Sequence, residues 1–334
     1  MPPTTSTSTT LTTFRADEHL QFIYFGTGEI ARAVLEELLS AGLAPSLIVT
    51  APDRKRGRRL TLSPSPVAAL AAQYAIQTLK PEKLDDAFLS QLSTNNYQLF
   101  IVADYGAILP QELLDIPEKG TLNMHPSLLP RLRGPSPIRS AILKDEKKVG
   151  VSIMLLDEKM DHGPIIAQKG VPIPGWTDGR ALRSSAYRQA GSGEVGPPHG
   201  AALDKLLSHA GGQLLAQVLP LWIRGDIEAR VQNHDLATYS EKFTKEDGLL
   251  DLTEDGYHNL LKINALEGWP GTYAFFERPS IRSGQTTKKI RVAILDAHLE
   301  GGNLLIDMVK PEGKPEMPYA DFIRSGAKYC PSAS

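Results

Sequence analysis

One cysteine in 334 residues, Cys330, excludes a disulfide framework and a cysteine-based metal cluster, and it suits a reducing compartment. Long apolar runs are missing too. None approaches the roughly 18 residues that cross a bilayer, and the N-terminal stretch lacks the basic and apolar regions of a secretory signal, so a cytoplasmic protein with no membrane partner is expected. Neither His-x-x-x-His nor Glu-x-x-His occurs, which leaves no local metal motif and predicts metal-free chemistry. Charge of one sign is scarce: 36 basic side chains against 38 acidic ones give a net charge of −2. Such a chain has no global attraction for a polyanion, and a nucleic acid would have to be gripped by a local patch.

What is present reads as α/β. Residues 1–19, dominated by Ser, Thr and Pro, cannot supply a buried face and are expected to form a disordered tail. From Gln21 onward, an apolar strand at Phe22 to Phe25, a Gly26-x-Gly28 turn, an amphipathic helix to Ser40 and a strand at Leu47 to Thr50 alternate as parallel strands joined by helices do. Further strands are expected at Leu99 to Ala103, Gly120 to Met124, Gly150 to Leu156 and Ile165 to Ile173. Together they predict a doubly wound parallel sheet with ligands at its carboxyl edge. The first domain is expected over 20–227, with a Gly, Ser and Pro-rich flexible insertion at about 183–200 and a closing helix from Ala201 to Arg224. A polar linker at 228–243 then leads to a second domain over 244–330, where three strands are legible, at Tyr273 to Phe276, Ile290 to Leu295 and Leu304 to Val309.

Three groups of residues carry chemistry. Asn123 and His125 stand two apart at a strand end, so their side chains share one side of the backbone before a proline-rich loop. An amide donor beside an imidazole suits attack on a carbonyl carbon, the amide stabilising the oxygen as it becomes negative and the imidazole trading protons. Taken alone, the pair also fits a turn with an Asx hydrogen bond. Arg54, Lys55, Arg56, Arg58 and Arg59 put five cations into six residues on an expected loop beyond the second strand. A solvated charged loop and a phosphate grip both fit that run. Gly26-Thr27-Gly28 after a first strand could open a dinucleotide site with Asp53 on a ribose. Asp53, however, falls in a Pro-Asp-Arg turn beyond the second strand, where the ribose carboxylate would end that strand.

The run Asn123-Met124-His125-Pro126-Ser127-Leu128-Leu129-Pro130-Arg131-Leu132-Arg133-Gly134 resembles the signature of the folate-dependent formyltransferases, and within them the branch acting on methionyl-tRNA. Gly26-Thr27-Gly28, Pro52-Asp53-Arg54, Tyr105-Gly106 with Ile108-Leu109-Pro110, Asp161-x-Gly163 and Trp269-Pro270-Gly271 follow in that family's order. The resemblance implies a Rossmann-like formyltransferase domain followed by a small, OB-like β-barrel that contacts tRNA, here with fewer legible strands than the family's five. It implies transfer of the formyl group of 10-formyltetrahydrofolate, a co-substrate, to the α-amine of methionyl-initiator tRNA by a monomeric enzyme. By the same resemblance Asn123, His125 and Asp161 are catalytic, and Ser127, Leu128, Leu129 and Pro130 with Tyr105 and Gly106 hold the folate. The basic run led by Arg54 would engage the tRNA acceptor end. Asp104 departs from the family, which commonly has a small residue there. Formylation of an amino sugar or a nucleotide amine, and hydrolysis of formylfolate, would use the same core motif.

Overall fold

The computed structural model describes residues 20–56, 61–176, 196–279 and 287–331. They divide into two compact units, the first drawn from 20–125, 152–169 and 208–232, the second from 126–151, 170–207 and 233–331. The expected tail, most of the expected insertion and the tip of the basic run lie outside the described residues.

The first unit is organised by β1 (Phe22–Gly26), all five of whose residues are buried, as a strand covered on both faces requires. The chain continues through α1 (Glu29–Ser40), β2 (Leu47–Val49), a ribbon of β3 (Arg54–Arg56) and β4 (Thr61–Ser63), α2 (Pro66–Gln73), β5 (Thr78–Leu79) and α3 (Asp86–Ser93). Then come β6 (Leu99–Ala103), α4 (Gln111–Leu114), β7 (Thr121–His125), α5 (Pro137–Leu143), which belongs to the second unit, β8 (Val149–Leu155), β9 (Ile165–Val171) and α6 (Gly200–Arg224), which joins the first unit from Ser208 on. Helix α1 buries Ala31, Val34, Leu35 and Leu38 at the three- and four-residue spacing of a single face. Ser65 starts α2 by accepting from the Ala68 amide at 3.0 Å, with Pro66 in the first turn where its missing N–H costs nothing.

The sheet has seven strands in the order β5-β2-β1-β6-β7-β8-β9. The β5/β2, β2/β1, β1/β6 and β6/β7 pairs are parallel, but β8 runs antiparallel to β7. The sheet is therefore mixed where the pattern of elements suggested a parallel one. The strand expected to end at Met124 includes His125, because His125 pairs with Ser152 of β8. Core packing on one face joins Ile23, Phe25, Val49, Phe88, Leu92 and Phe100, each worth about 1.5–3 kcal/mol on full burial.

The second unit holds α7 (Gly256–Ala265), β10 (Thr272–Pro279), β11 (Thr287–Glu300), β12 (Asn303–Pro311), β13 (Met317–Pro318), α8 (Tyr319–Arg324) and β14 (Lys328–Tyr329). Five antiparallel strands are ordered β13-β12-β11-β10-β14, a sheet consistent with a small barrel. Two of the five escaped the sequence reading because β13 and β14 are two residues each, too short to show alternation. A register shift between Ile294 and Ala297 marks a bulge, the device that bends a strand enough for a barrel-like sheet to curve. Alternation along β10 puts Ala274 and Phe276 into the core, where the Phe276 ring meets Phe322 at 5.2 Å and Tyr329 at 5.7 Å. Tyr273 and Phe275 face the other way, covered by the chain's own cations: Arg291 lies 3.6 Å from the Tyr273 ring and Lys289 4.6 Å from that of Phe275.

Candidate active site

Strand order reverses between β1 and β6, and the carboxyl ends of β1, β6 and β7 adjoin there, the place where open α/β sheets bind ligands. Thr27 ties these ends together. Its amide donates to Asp104 O at 3.1 Å, its hydroxyl donates to Tyr105 O at 3.2 Å, and the same oxygen accepts from the Ala51 amide at 3.3 Å. Asp104 has φ +44°, a left-handed conformation that Asp tolerates better than most residues. A methyl group on Gly28 would stand 2.0 Å from Asp104 Oδ2, so the carboxylate rests against the N-cap of α1, a helix start that no side chain of its own caps. The partial positive charge of a helix N-terminus is thus met by the chain's own anion. Burial, and after it the nearby Asp104 charge, push the Tyr24 hydroxyl well above its ordinary pKa, while Tyr24 donates to Ala31 O at 2.6 Å. Tyr105 stacks edge-on against Phe25 at 5.5 Å, and burial raises its phenol to about 12, which keeps it protonated at physiological pH. Gly106 beside it is exposed with φ +82°, a turn that L side chains rarely adopt.

On β7 the side chains alternate. Met124 packs back onto α6, where a methyl group on Gly211 would strike its sulfur at 2.6 Å. Asn123 and His125 therefore share the opposite face, Asn123 half-buried and His125 buried. Asp161 reaches this face by an indirect route. Because β8 is antiparallel to β7, Leu155 pairs with Leu122 and the strand leaves the sheet running away from His125. The following loop doubles back and sets Asp161 Oδ1 3.7 Å from His125 Nδ1, with Asp161 itself at φ +49°. Two features hold that loop close. Gly163 lies so near β8 that a methyl group there would meet Leu155 O at 2.0 Å, and Gln232 donates through Nε2 to Asp161 O at 3.0 Å and Gly163 O at 2.7 Å. His162 turns aside to Asp157, with Nδ1 and Oδ2 2.7 Å apart.

The remaining expected site residues fall on separate elements. Arg54, Lys55 and Arg56 form β3 rather than a loop, pairing with Ser63, Leu62 and Thr61 of β4, and Arg54 and Lys55 are exposed. An extended strand points successive side chains to opposite faces, which separates neighbouring cations better than an irregular turn. The ribbon follows the carboxyl end of β2, and Arg58 and Arg59 lie outside the described residues. Asp53 is engaged by Lys80 at 2.5 Å.

Ser127, Leu128, Leu129 and Pro130 belong to the second unit. There Ser127 Oγ donates to Arg131 O at 2.6 Å, the Arg131 amide donates to Leu128 O at 3.2 Å, and Pro130 O accepts from the Thr238 amide at 3.3 Å. Leu129 is buried, so its own side chain serves packing, while Leu128 and Pro130 are part-exposed. No group of three or more His, Cys, Asp or Glu that could hold a metal ion occurs among the described residues, and no described helix is long and apolar enough to cross a membrane.

Sequence reasoning missed Gln232 altogether. It is a single glutamine in a polar segment expected to be a linker, and no local pattern distinguishes it. Its placement follows from a pairing of Arg230 with Ile165, each amide donating to the other's carbonyl at 2.8 Å.

Comparison with known proteins adds the following. The family model described as formyl transferase matches residues 19–190. The methionyl-tRNA formyltransferase of Chloroflexus aurantiacus is 37% identical over 279 residues, 83% of this chain and 81% of that one. The corresponding protein of Halalkalibacterium halodurans is 32% identical over 91% of this chain and 94% of its own. Among solved structures, the methionyl-tRNA formyltransferase of Clostridium thermocellum superposes with a TM-score of 0.52 at 15% identity, over 87% of this chain and 98% of that one. A sugar N-formyltransferase from a Shewanella species gives 0.54 at 16%, over 83% and 98%. At such identities the structural matches speak for the fold alone.

Proposed function

The chain belongs to the formyltransferase family, within it to the methionyl-tRNA formyltransferases, and from that premise we propose that it formylates the α-amine of methionine on initiator tRNA, with 10-formyltetrahydrofolate as donor. The observation that carries this reading is the meeting of three side chains: Asn123 and His125 on one face at the end of β7, and Asp161 brought back to 3.7 Å from the imidazole.

The amine attacks as the neutral base. An α-amine titrates near pH 7.7–8.0, so a modest base suffices to free its lone pair. As the N–C bond forms, the formyl oxygen takes on negative charge, and the Asn123 amide and the His125 imidazole donate to it. Asp161 orients the imidazole and accepts the proton released by the amine. That proton passes to N10 of the folate as the C–N10 bond breaks, so formyl-methionyl-tRNA and tetrahydrofolate leave with atoms and charge balanced. Neither a metal nor a covalent enzyme intermediate is needed. Ser127 to Pro130, with Tyr105 and Gly106, are proposed to line the folate site, and the β3–β4 ribbon to hold the acceptor end of the tRNA.

A nicotinamide nucleotide is disfavoured by two contacts. The Asp104 carboxylate occupies the approach to the α1 N-terminus where a pyrophosphate would bind, and Asp53 is held by Lys80. A stable folate analogue is expected to raise the melting temperature by linkage, with NAD and NADP leaving it unchanged. Micromolar NAD binding by calorimetry, with none for folate, would overturn the assignment.

The decisive assay offers the protein formylfolate with methionyl-tRNA, free methionine, an amino sugar nucleotide or no acceptor. Formyl transfer to methionyl-tRNA alone is expected. Transfer to the sugar, or release of formate without an acceptor, would replace this reading by a small-molecule formyltransferase or a hydrolase.

A further inference from the structure

Resting on the formyl-transfer reading, we infer that Gln232 is a positioning residue for Asp161, holding from outside the reaction centre the turn that carries the carboxylate. The need for such a hold follows from topology. Strand β8 carries the chain away from His125, and only a loop that reverses can bring Asp161 back to it. Reversal costs backbone freedom, and Asp161 sits in the left-handed region at φ +49°, which Asp tolerates better than most non-glycine residues but still at a cost that contacts around the turn must offset.

The Gln232 amide supplies that fixation. Its NH2 group has two donors splayed at a trigonal angle, matching two carbonyls that point to one side of a turn. Asp161 O at 3.0 Å and Gly163 O at 2.7 Å are those carbonyls, and they bracket His162. A carboxylate of the same size would present only acceptors to these oxygens, and an ammonium would bring a charge into a site where Gln232 is 4% exposed. The clasp is anchored two residues away, where Arg230 and Ile165 exchange backbone hydrogen bonds at 2.8 Å and so register the segment against the start of β9. One end of the Asp161 loop is thus closed by a backbone pair and its apex by a side chain. Gln232 grips the backbone of the turn, while the Asp161 carboxylate is the group that faces His125, so its effect on the reaction passes through Asp161.

Gln232→Met tests this, since methionine matches glutamine in length and has no donor. Turnover with methionyl-tRNA is expected to fall by about tenfold or more, because a reacting group misplaced by an ångström loses up to a hundredfold, while KM for the folate stays within about twofold. Deuterium exchange of peptides covering 157–165 should accelerate by about tenfold, with exchange over 272–311 unchanged. Added to Asp161→Asn, Gln232→Met should lower turnover by less than about twofold further, since a residue acting through Asp161 has nothing left to position. A merely structural role predicts instead that the two losses multiply. Wild-type turnover in Gln232→Met, multiplicative losses, or unchanged exchange over 157–165 would each overturn the inference. Failure of both Gln232→Met and the isosteric Gln232→Glu to fold would do so as well, because the role assigned is confined to one turn. The exchange measurement needs no substrate, and the unaltered protein in the acceptor assay reports on the formyl-transfer reading by itself.

Discussion

Asn123→Ala is expected to lower single-turnover formylation by about a hundredfold or more, the scale of losing one positioned donor to an oxyanion. Folate affinity, measured by calorimetry, should be little changed. The asymmetry follows from where the charge appears. The formyl oxygen is a weak acceptor in the bound co-substrate and a strong one in the tetrahedral state, so the amide contributes mainly to the transition state. Asn123 is half-buried at a strand end, and its truncation opens no core cavity, so the melting temperature should move little. Asp161→Asn is expected to cost turnover on the same scale by a different route. It preserves shape and the hydrogen bonds that Asp161 and Gly163 carbonyls accept from Gln232, but removes the negative charge 3.7 Å from the His125 imidazole and the acceptor for the amine proton. Full turnover in either variant would remove that residue from the mechanism.

Replacing Arg54, Arg56, Arg58 and Arg59 together by Ala is expected to weaken methionyl-tRNA binding strongly and to flatten its dependence on salt. With a net charge of −2 the chain as a whole does not attract RNA, so this cluster is the strongest local source of phosphate attraction. Each phosphate contact adds roughly 0.7–0.9 to the slope of log affinity against log salt, and loss of four contacts would flatten it by about 3. Exposed cations that merely solvate a ribbon would leave that slope unaltered. Folate affinity should not move, since none of the residues proposed to hold the folate belongs to the ribbon. A variant that kept tRNA affinity and slope but lost folate binding would point to a small-molecule acceptor.

Much of the first sheet was legible because its signals are local. The buried run at β1, the Gly26-Thr27-Gly28 turn and the α1 periodicity each lie within one stretch of chain. So does Asn123 next but one to His125, where the two-residue period of a strand suffices to put both on one face. Helix α6 was equally plain, its leucines repeating over 25 residues. Legibility failed where an element was short or its partner distant. Strands β13 and β14 have no period to read, and the β3–β4 ribbon needs Thr61 to Ser63 to complete it. The antiparallel direction of β8 is set by how the chain between it and β7 returns to the sheet, which no local pattern records.

By itself, then, the sequence determined the class of fold, the strand end carrying Asn123 and His125, and the absence of any local metal or membrane motif, since each is written in residues near one another along the chain. Only the tertiary structure decided how the third group arrives. Asp161 stands 36 positions beyond His125, on a loop that follows a strand pointing the wrong way. Its return rests on Gly163 lying against Leu155 O and on an amide side chain 71 residues further on. The same holds for Asp104, a departure in sequence whose meaning appears only when its carboxylate is found against Gly28 at the head of α1. Contacts of this kind join residues remote in sequence, and their free energy depends on distance in space, which no local pattern of residue types encodes.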